Sequence, residues 1–210
     1  MKRIIAITIL LSAFSISAIS ANYEEAMKTN IEKMNQSTSS TALAELAANF
    51  QRISNAEKEK WLPSYYAAYC YLNATFFDNL EPKKIHEYLD LAQGEIDKVL
   101  KIAPKESEIY ALQAFVFQLR ITDMSKGYQY SSLANEAINS AEKLNPENPR
   151  VYYLRGSNIF HTPKMFGGGA EKAKSDLEKA AKMFETQKLK SEISPSWGAE
   201  HNGQLLKQCE

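Results

Sequence analysis

Apolar side chains recur at spacings of three and four residues along most of the chain from about residue 22 onward, which is the pattern of amphipathic helices. One such stripe runs through Leu43, Leu46, Ala47, Phe50 and Ile53. Prolines stand mostly where one stripe ends and the next begins. Asn148-Pro149 and Ser194-Pro195 each pair a helix-capping residue with proline at the first helical position. No run of alternating β-branched residues is long enough to require a strand, so the sequence predicts an all-α fold.

The helical pattern repeats with a period of about 44 residues. In three segments an aromatic residue is followed four positions later by a small one: Tyr66 and Cys70, Tyr110 and Ala114, Tyr152 and Gly156. Trp197 opens a fourth segment, in which His201 stands at the small-residue position. The four aromatic residues are 44, 42 and 45 positions apart, and each has a proline two to six residues before it. A fixed period of this length indicates a tandem array of helical units.

A second kind of helix lies between these segments and carries small and aliphatic residues at helical spacing. Its three copies contain Ala92, Ile96 and Val99, then Ala134, Ile138 and Ala141, then Ala173, Leu177 and Ala180. A proline follows the first two copies, and Glu185 stands where the third would have one. Small residues every three or four positions allow two helices to approach closely, so we interpret these stripes as helix–helix contacts.

The aromatic–small pair on the first helix, the alanine stripe on the second and the proline after it resemble the tetratricopeptide repeat (TPR). The resemblance covers roughly residues 60–208, although the period exceeds the 34 residues of a standard TPR. Two stretches, Phe160–Gly169 and Ser194–Gly198, also resemble a group of exported bacterial TPR proteins with no settled activity. The resemblance implies an α-solenoid of tandem antiparallel helix hairpins. We divide the chain into an N-terminal hairpin at 22–58 and a repeat array at 59–210 that ends in a capping helix.

Residues 1–21 have the order of a cleavable signal peptide. Lys2 and Arg3 precede the apolar run Ile4–Ile19, and small residues follow it up to Ala21. The alternative is an uncleaved membrane anchor, but the run is shorter than the ~20 apolar residues that span a bilayer. We therefore predict a periplasmic or secreted protein without stable membrane insertion after cleavage. Cys70 and Cys209 are too few to frame a small fold with disulfides.

Charge and motifs exclude several functions. The 25 basic and 25 acidic residues balance without a basic block, which argues against nucleic acid as a partner. No HExxH or GxSxG motif is present, so we expect no enzyme activity. His86, His161 and His201 lack an identifiable third ligand, and we expect no metal or other cofactor. The glycines at 167–169 could present N–H groups to an anion, but without the features of a P-loop we interpret them as a flexible turn.

The first helices of TPR arrays line an inner groove, and the resemblance carries that role to matching positions here. The groove-facing residues implied are Tyr71, Phe115, Gln118, Tyr153, Ser157 and His161, with Arg150 at the groove's edge. Tyrosine and arginine are enriched at binding hot spots, although core packing explains the aromatic load of these helices equally well.

Two functions follow from this groove. The first is a non-catalytic scaffold that binds a protein or peptide; the sequence leaves homo-oligomers of the chain open. The alternative is a periplasmic small-solute-binding component of an uptake system. A solute site should form a bounded pocket with a few convergent polar groups, whereas a scaffold should form an open, continuous groove.

Overall fold

The computed structural model describes residues 22–210, and all regular secondary structure in that range is helical. The predicted signal peptide, residues 1–21, lies outside the described residues. The helices are α1 (22–36), α2 (Ser40–Ala56), α3 (Leu62–Ala74), α4 (Pro82–Ile102), α5 (Ser107–Leu119), α6 (Met124–Leu144), α7 (Pro149–His161), α8 (Ala170–Thr186) and α9 (Ala199–Lys207). A short 3₁₀ turn, Lys164–Phe166, lies between α7 and α8. The predicted all-α fold is confirmed.

The helices form a two-layer α-solenoid of antiparallel hairpins. Helix α3 packs against α2 and α4, α5 packs against α6, and α7 packs against α8. The odd-numbered helices also touch one another, since α3 contacts α5, α5 contacts α7, and α7 contacts α9. They make up the inner layer, and the even-numbered helices make up the outer layer. Among residues 22–210, no helix has the length and apolar character needed to cross a membrane.

The alanine stripes of the outer helices α4, α6 and α8 lie at the helix–helix contacts, as predicted. All nine residues of the three copies are at most 1% exposed. Small side chains let the inner helices approach closely, and the aliphatic residue in each copy fills the space that remains. The periodicity that identified the repeats is therefore the periodicity of the core.

A hydrogen bond explains why a proline stands upstream of the repeated aromatic residue. The hydroxyl of Tyr110 donates to the Pro104 carbonyl, and that of Tyr152 donates to the Pro146 carbonyl, each over 3.0 Å. Each bond ties an inner helix to the turn that follows the preceding outer helix. The sequence analysis also placed Trp197 at the repeated aromatic position of a fourth inner helix. That prediction is wrong, because α9 begins only at Ala199, after the tryptophan.

Residues 187–198, here called the C-terminal strap, connect α8 to α9 across the inner layer. The Tyr66 hydroxyl donates to the Ile193 carbonyl over 3.0 Å, and Arg150 Nη2 donates to the Pro195 carbonyl over 2.7 Å. The side chain of Ile193 is buried in the same apolar cluster as α2 and α3. The strap therefore occupies part of the inner face that a TPR array usually leaves open.

The three glycines at 167–169 form the turn between α7 and α8, as expected, but the turn is closely packed. The Gly169 amide donates to the Ile159 carbonyl over 2.9 Å. A Cβ atom on Gly168 would overlap the Thr162 carbonyl oxygen. These glycines are explained by the close approach of backbone to backbone, and the interpretation as a connecting turn needs no bound anion.

Gly156→Ala is expected to lower the free energy of unfolding by about 1–3 kcal/mol, because overpacking a close contact forces its neighbours to shift. A Cβ atom at Gly156 would lie 2.7 Å from Cγ and Cδ2 of Leu177 on α8. Gly94→Ala is the matched control, since that helical position has no neighbouring atom within 4 Å. It should raise stability by roughly 0.5–1 kcal/mol through helix propensity. Urea unfolding measures both changes, and equal midpoints for the two variants would refute the repeat alignment.

Candidate functional site

A cleft of about 490 Å³ opens on the inner layer between its first and last helices. Its lining comes from Ile31, Met34 and Asn35 of α1, from Tyr66 and Tyr69 of α3, and from residues 196–201 and Gln204 at the end of the strap and on α9. An exposed ion pair between Lys28 of α1 and Glu192 of the strap links the same two ends of the array. The volume falls in the range of about 300–1,000 Å³ that is usual for small-molecule sites.

Three stacked aromatic rings and a fourth that is tilted against them, together called the aromatic stack, run from this cleft along the inner layer. Tyr69 stacks on Trp197 at a centroid distance of 5.4 Å, and Trp197 stacks on Phe115 at 5.5 Å. Phe115 in turn lies 6.2 Å from Phe76, whose side chain is 55% exposed. Tyr153 meets both Phe115 and Trp197 edge-on, at 6.3 Å. The stack gives the inner layer flat apolar surfaces of the kind that aromatic ligands contact.

His201 supplies the cleft with a polar group held by a buried tyrosine. Its Nδ1 atom lies 2.6 Å from the hydroxyl oxygen of Tyr153. Burial raises the pKa of the Tyr153 hydroxyl, so the phenol keeps its proton and can donate. Burial lowers the pKa of His201, and the charge of His161 lowers it further. Both effects favour a neutral imidazole, whose other nitrogen is left for a ligand.

Arg150 is fully buried, so the prediction that it lies at the groove's edge is wrong. Its Nη1 pairs with Glu108 Oε1 of α5 at 3.0 Å, and its Nη2 donates to the Pro195 carbonyl of the strap. The guanidinium also stacks over the Trp197 ring, with its central carbon 5.0 Å from the ring centroid. A buried charge is tolerated only where it is paired and hydrogen-bonded, and Arg150 finds both kinds of partner between α5 and the strap.

The other predicted groove residues divide into two sets. Phe115 and Tyr153 belong to the aromatic stack or touch it, and His161 is exposed near His201. The side-chain amide of Gln118 donates to the Leu154 carbonyl over 2.7 Å and so serves the contact between α5 and α7. Ser157 is buried on α7, with 5% of its surface exposed. The prediction that Tyr71 faces the groove is wrong, because its ring stacks on Tyr88 of α4 at 6.3 Å.

Several residues of the cleft were not predicted to belong to a site. Ile31 and Met34 lie in the divergent N-terminal hairpin, which has no counterpart in the repeat pattern. Trp197 was recognised, but as the start of a helix. The feature of the sequence that could have indicated this site is the stretch Ser194–Gly198, where a glycine directly follows Trp197. At Gly198 φ is 104°, and a Cβ atom there would lie 3.3 Å from the Tyr153 ring.

Fold and cleft together define an α-solenoid of TPR-like hairpins with a cleft of small-molecule size. No protein-family model and no curated protein matches the sequence. Among solved structures, the chain is similar to the HusA haemophore from Porphyromonas gingivalis, with 28% identity, a TM-score of 0.80, and coverage of 90% of this chain and 92% of that one.

A TPR protein of the thermophile Thermus thermophilus is a second structural neighbour of the chain. Its TM-score is 0.62 and its identity 14%, over 89% of this chain and 80% of that one. Structural similarity at 14% sequence identity shows a shared fold and nothing about function. It shows that the chain has a TPR-like helical fold, as its residue pattern predicted.

Acidification should reduce stability through the two histidines beside the cleft. Burial lowers the pKa of both His161 and His201, so the unfolded chain takes up protons first. Their contribution to stability is present above the ordinary histidine pKa of about 6.5 and is lost as the pH falls through the lower folded-state values. The melting temperature should therefore fall less between about pH 7 and pH 5 in the His161→Gln/His201→Gln variant than in the native chain. Because both side chains are partly exposed, the difference should be small.

His86→Gln serves as the control for this measurement, because His86 lies at the contact between α4 and α6, outside the cleft. If the double variant and the native chain lose the same stability on acidification, the two imidazoles are not coupled to folding in this way.

Proposed function

We propose that this chain is a non-catalytic binding protein of the cell envelope that holds a small, flat ligand with a conjugated ring in the inner cleft. The observation that carries the proposal is that the inner layer is not a continuous open groove. The C-terminal strap lies across it and leaves a bounded cleft beside the aromatic stack. Of the two functions that the sequence left open, this is the solute-binding one.

The strap favours a small ligand over a long peptide. A peptide that bound along the inner layer would need the surface that Ile193, Pro195 and Trp197 already occupy. The remaining space is flanked by α1 and by α9. Its lining mixes the apolar and aromatic side chains of Ile31, Met34, Tyr69 and Trp197 with polar ones, and more of the lining surface is polar than apolar. Such a lining offers an aromatic ring surface for stacking and several polar groups that can orient a small molecule.

A conjugated ring system of the tetrapyrrole class fits the chemistry of the site. Tyr69 lines the cleft and presents the end of the aromatic stack, while His201 adds an Nε2–H group from which a ligand oxygen could accept a hydrogen bond. The structural neighbour HusA is named a haemophore, and it is 28% identical to this chain over nearly its whole length. This similarity supports a porphyrin as the first ligand to test.

Export is part of the same proposal. Residues 1–21 carry the basic start, apolar run and small-residue end of a cleavable signal, and their removal would leave the chain from about residue 22 as the mature protein. We propose that this mature protein acts in the periplasm or outside the cell. A binding protein in that location could serve the uptake of its ligand.

Titration with haemin and with metal-free protoporphyrin IX tests the function directly. The mature chain should change the absorption spectrum of at least one of them at micromolar concentration. Tyr69→Leu should weaken that binding about tenfold, equivalent to roughly 1.4 kcal/mol, because it keeps apolar volume in the cleft but removes a stacking ring.

The matched control for Tyr69→Leu is Tyr128→Leu, which makes the same change at a residue that is 90% exposed on α6. The affinity of Tyr128→Leu for either porphyrin should equal that of the native chain. If neither porphyrin binds, or if both variants bind equally well, the porphyrin proposal is contradicted.

A protein-binding scaffold is the second candidate, and a separate surface favours it. The inner helices run parallel, so the turns that follow α3, α5 and α7 lie along one edge of the solenoid. The most exposed large apolar side chains of the described residues lie at these turns or within a helical turn of them: Phe76, Met124, Tyr128, Met165 and Phe166. Exposed apolar surface of this kind is common at protein interfaces. If neither porphyrin binds, capture of partners by this edge becomes the function to test.

A further inference from the structure

Trp197 is the residue that gives the cleft its shape. It lines the cleft, and its ring lies between Tyr69 and Phe115 in the aromatic stack. Trp197 belongs to the strap rather than to a helix, so no helical backbone fixes it. Its position depends instead on side-chain contacts from the inner helices. One is a hydrogen bond of 2.7 Å from its indole nitrogen to the hydroxyl oxygen of Tyr65 on α3.

Arg150 makes the second set of contacts that hold the strap. It donates to the Pro195 carbonyl two residues before Trp197, and its guanidinium lies over the indole face. Its pairing with Glu108 fixes the guanidinium itself. Arg150 does not line the cleft, and it is 0% exposed, so a ligand in the cleft has no path to it.

We propose that Arg150 is a positioning residue of the ligand cleft, which acts through the Pro195 carbonyl and the Trp197 ring and not by touching the ligand. This inference rests on the proposed function. It replaces the role that the TPR resemblance implied for Arg150, that of a contact residue at the groove's edge.

The chemistry of the position requires arginine. Its planar group carries separate N–H donors for Glu108 and for the Pro195 carbonyl, and its flat face is free to stack on an aromatic ring. A lysine would keep the positive charge beside Glu108 but offers one nitrogen and no planar face. Arg150→Lys therefore keeps a positive charge for Glu108, while its single nitrogen cannot take the places of both Nη1 and Nη2 and it offers no flat face to Trp197.

Fluorescence provides a readout that a merely structural role would not change. The chain has two tryptophans, so a Trp61→Phe background makes Trp197 the only reporter. In that background, Arg150→Lys should shift the Trp197 emission to longer wavelength and increase its quenching by acrylamide, measured without porphyrin and well below the melting temperature. The haemin dissociation constant, from absorbance, should rise at least tenfold while the far-ultraviolet circular dichroism stays helical.

Leu177→Ala is the control for a loss of stability alone. Leu177 is buried between α7 and α8, and its side chain takes no part in the hydrogen bonds that anchor Pro195 and Trp197, so its truncation destabilises the fold while those bonds remain. Its haemin affinity and its Trp197 emission should stay at the values of the Trp61→Phe background. If Leu177→Ala weakens binding as much as Arg150→Lys does, the positioning role is overturned.

The remaining outcomes separate this inference from the proposed function. If the native chain binds haemin and Arg150→Lys binds it equally well, the positioning role is wrong and the proposed function stands. If the native chain binds neither haemin nor metal-free protoporphyrin IX, the proposed function fails, and the inference fails with it; if it binds only the metal-free porphyrin, the same comparison of affinities is made with that ligand. Should Arg150→Lys not fold, Tyr65→Phe takes its place, since it removes the other anchor of the same indole and leaves the buried charge intact. Unchanged emission and affinity in Tyr65→Phe would then overturn the inference.

Discussion

The buried guanidinium of Arg150 is the interaction on which the inner face of this solenoid depends. It joins α7 to α5 through Glu108 and joins both helices to the C-terminal strap through the Pro195 carbonyl and the Trp197 ring. Loss of one partner of a buried ion pair typically destabilises a protein by about 3–5 kcal/mol, because the other charge is left without compensation. The strap, and with it the cleft, is therefore coupled to the packing between two repeats.

The strap changes what a TPR-like array can do. Stacked hairpins alone produce an extended inner surface that suits long partners. Here the chain returns across that surface, contacts α1 through Lys28 and Glu192, and encloses a cleft between the two ends of the array. The ligand site thus depends on the whole inner layer, because its walls come from the first helix, the second inner helix and the last.

The sequence was most informative where packing is periodic. The alanine and aliphatic stripes of α4, α6 and α8 were predicted from their spacing, because helical contacts repeat with the helical period. The pairing of Tyr110 and Tyr152 with an upstream proline was visible for the same reason. The strap was missed because an irregular segment of bends and turns has no period. Trp197 was assigned to a helix because its distance of 45 residues from Tyr152 fitted the repeat.

The candidate site was predictable only in part, and two residues show why. Tyr71 was placed in the groove by alignment to a shorter repeat, but in these lengthened hairpins its ring turns toward α4 and stacks on Tyr88. Arg150 was placed at the groove's edge by its match to the TPR pattern, but a charged residue can be fully buried where it is paired. Its partners, Glu108 and the Pro195 carbonyl, are 42 and 45 residues away in sequence, and no local pattern indicates that they meet it.

The most direct test of the account is to map where a flat ligand binds. Amide spectra of the isotopically labelled mature chain should be recorded while metal-free protoporphyrin IX is added. The account predicts that signals from Met34, Tyr69 and His201 shift together, since they line one cleft formed by α1, α3 and α9. Signals from Tyr71 and Tyr88, which stack on each other away from it, should stay in place. Shifts confined to the turns around Phe76, Tyr128 and Phe166, or no shifts at all, would contradict a ligand site within the inner layer.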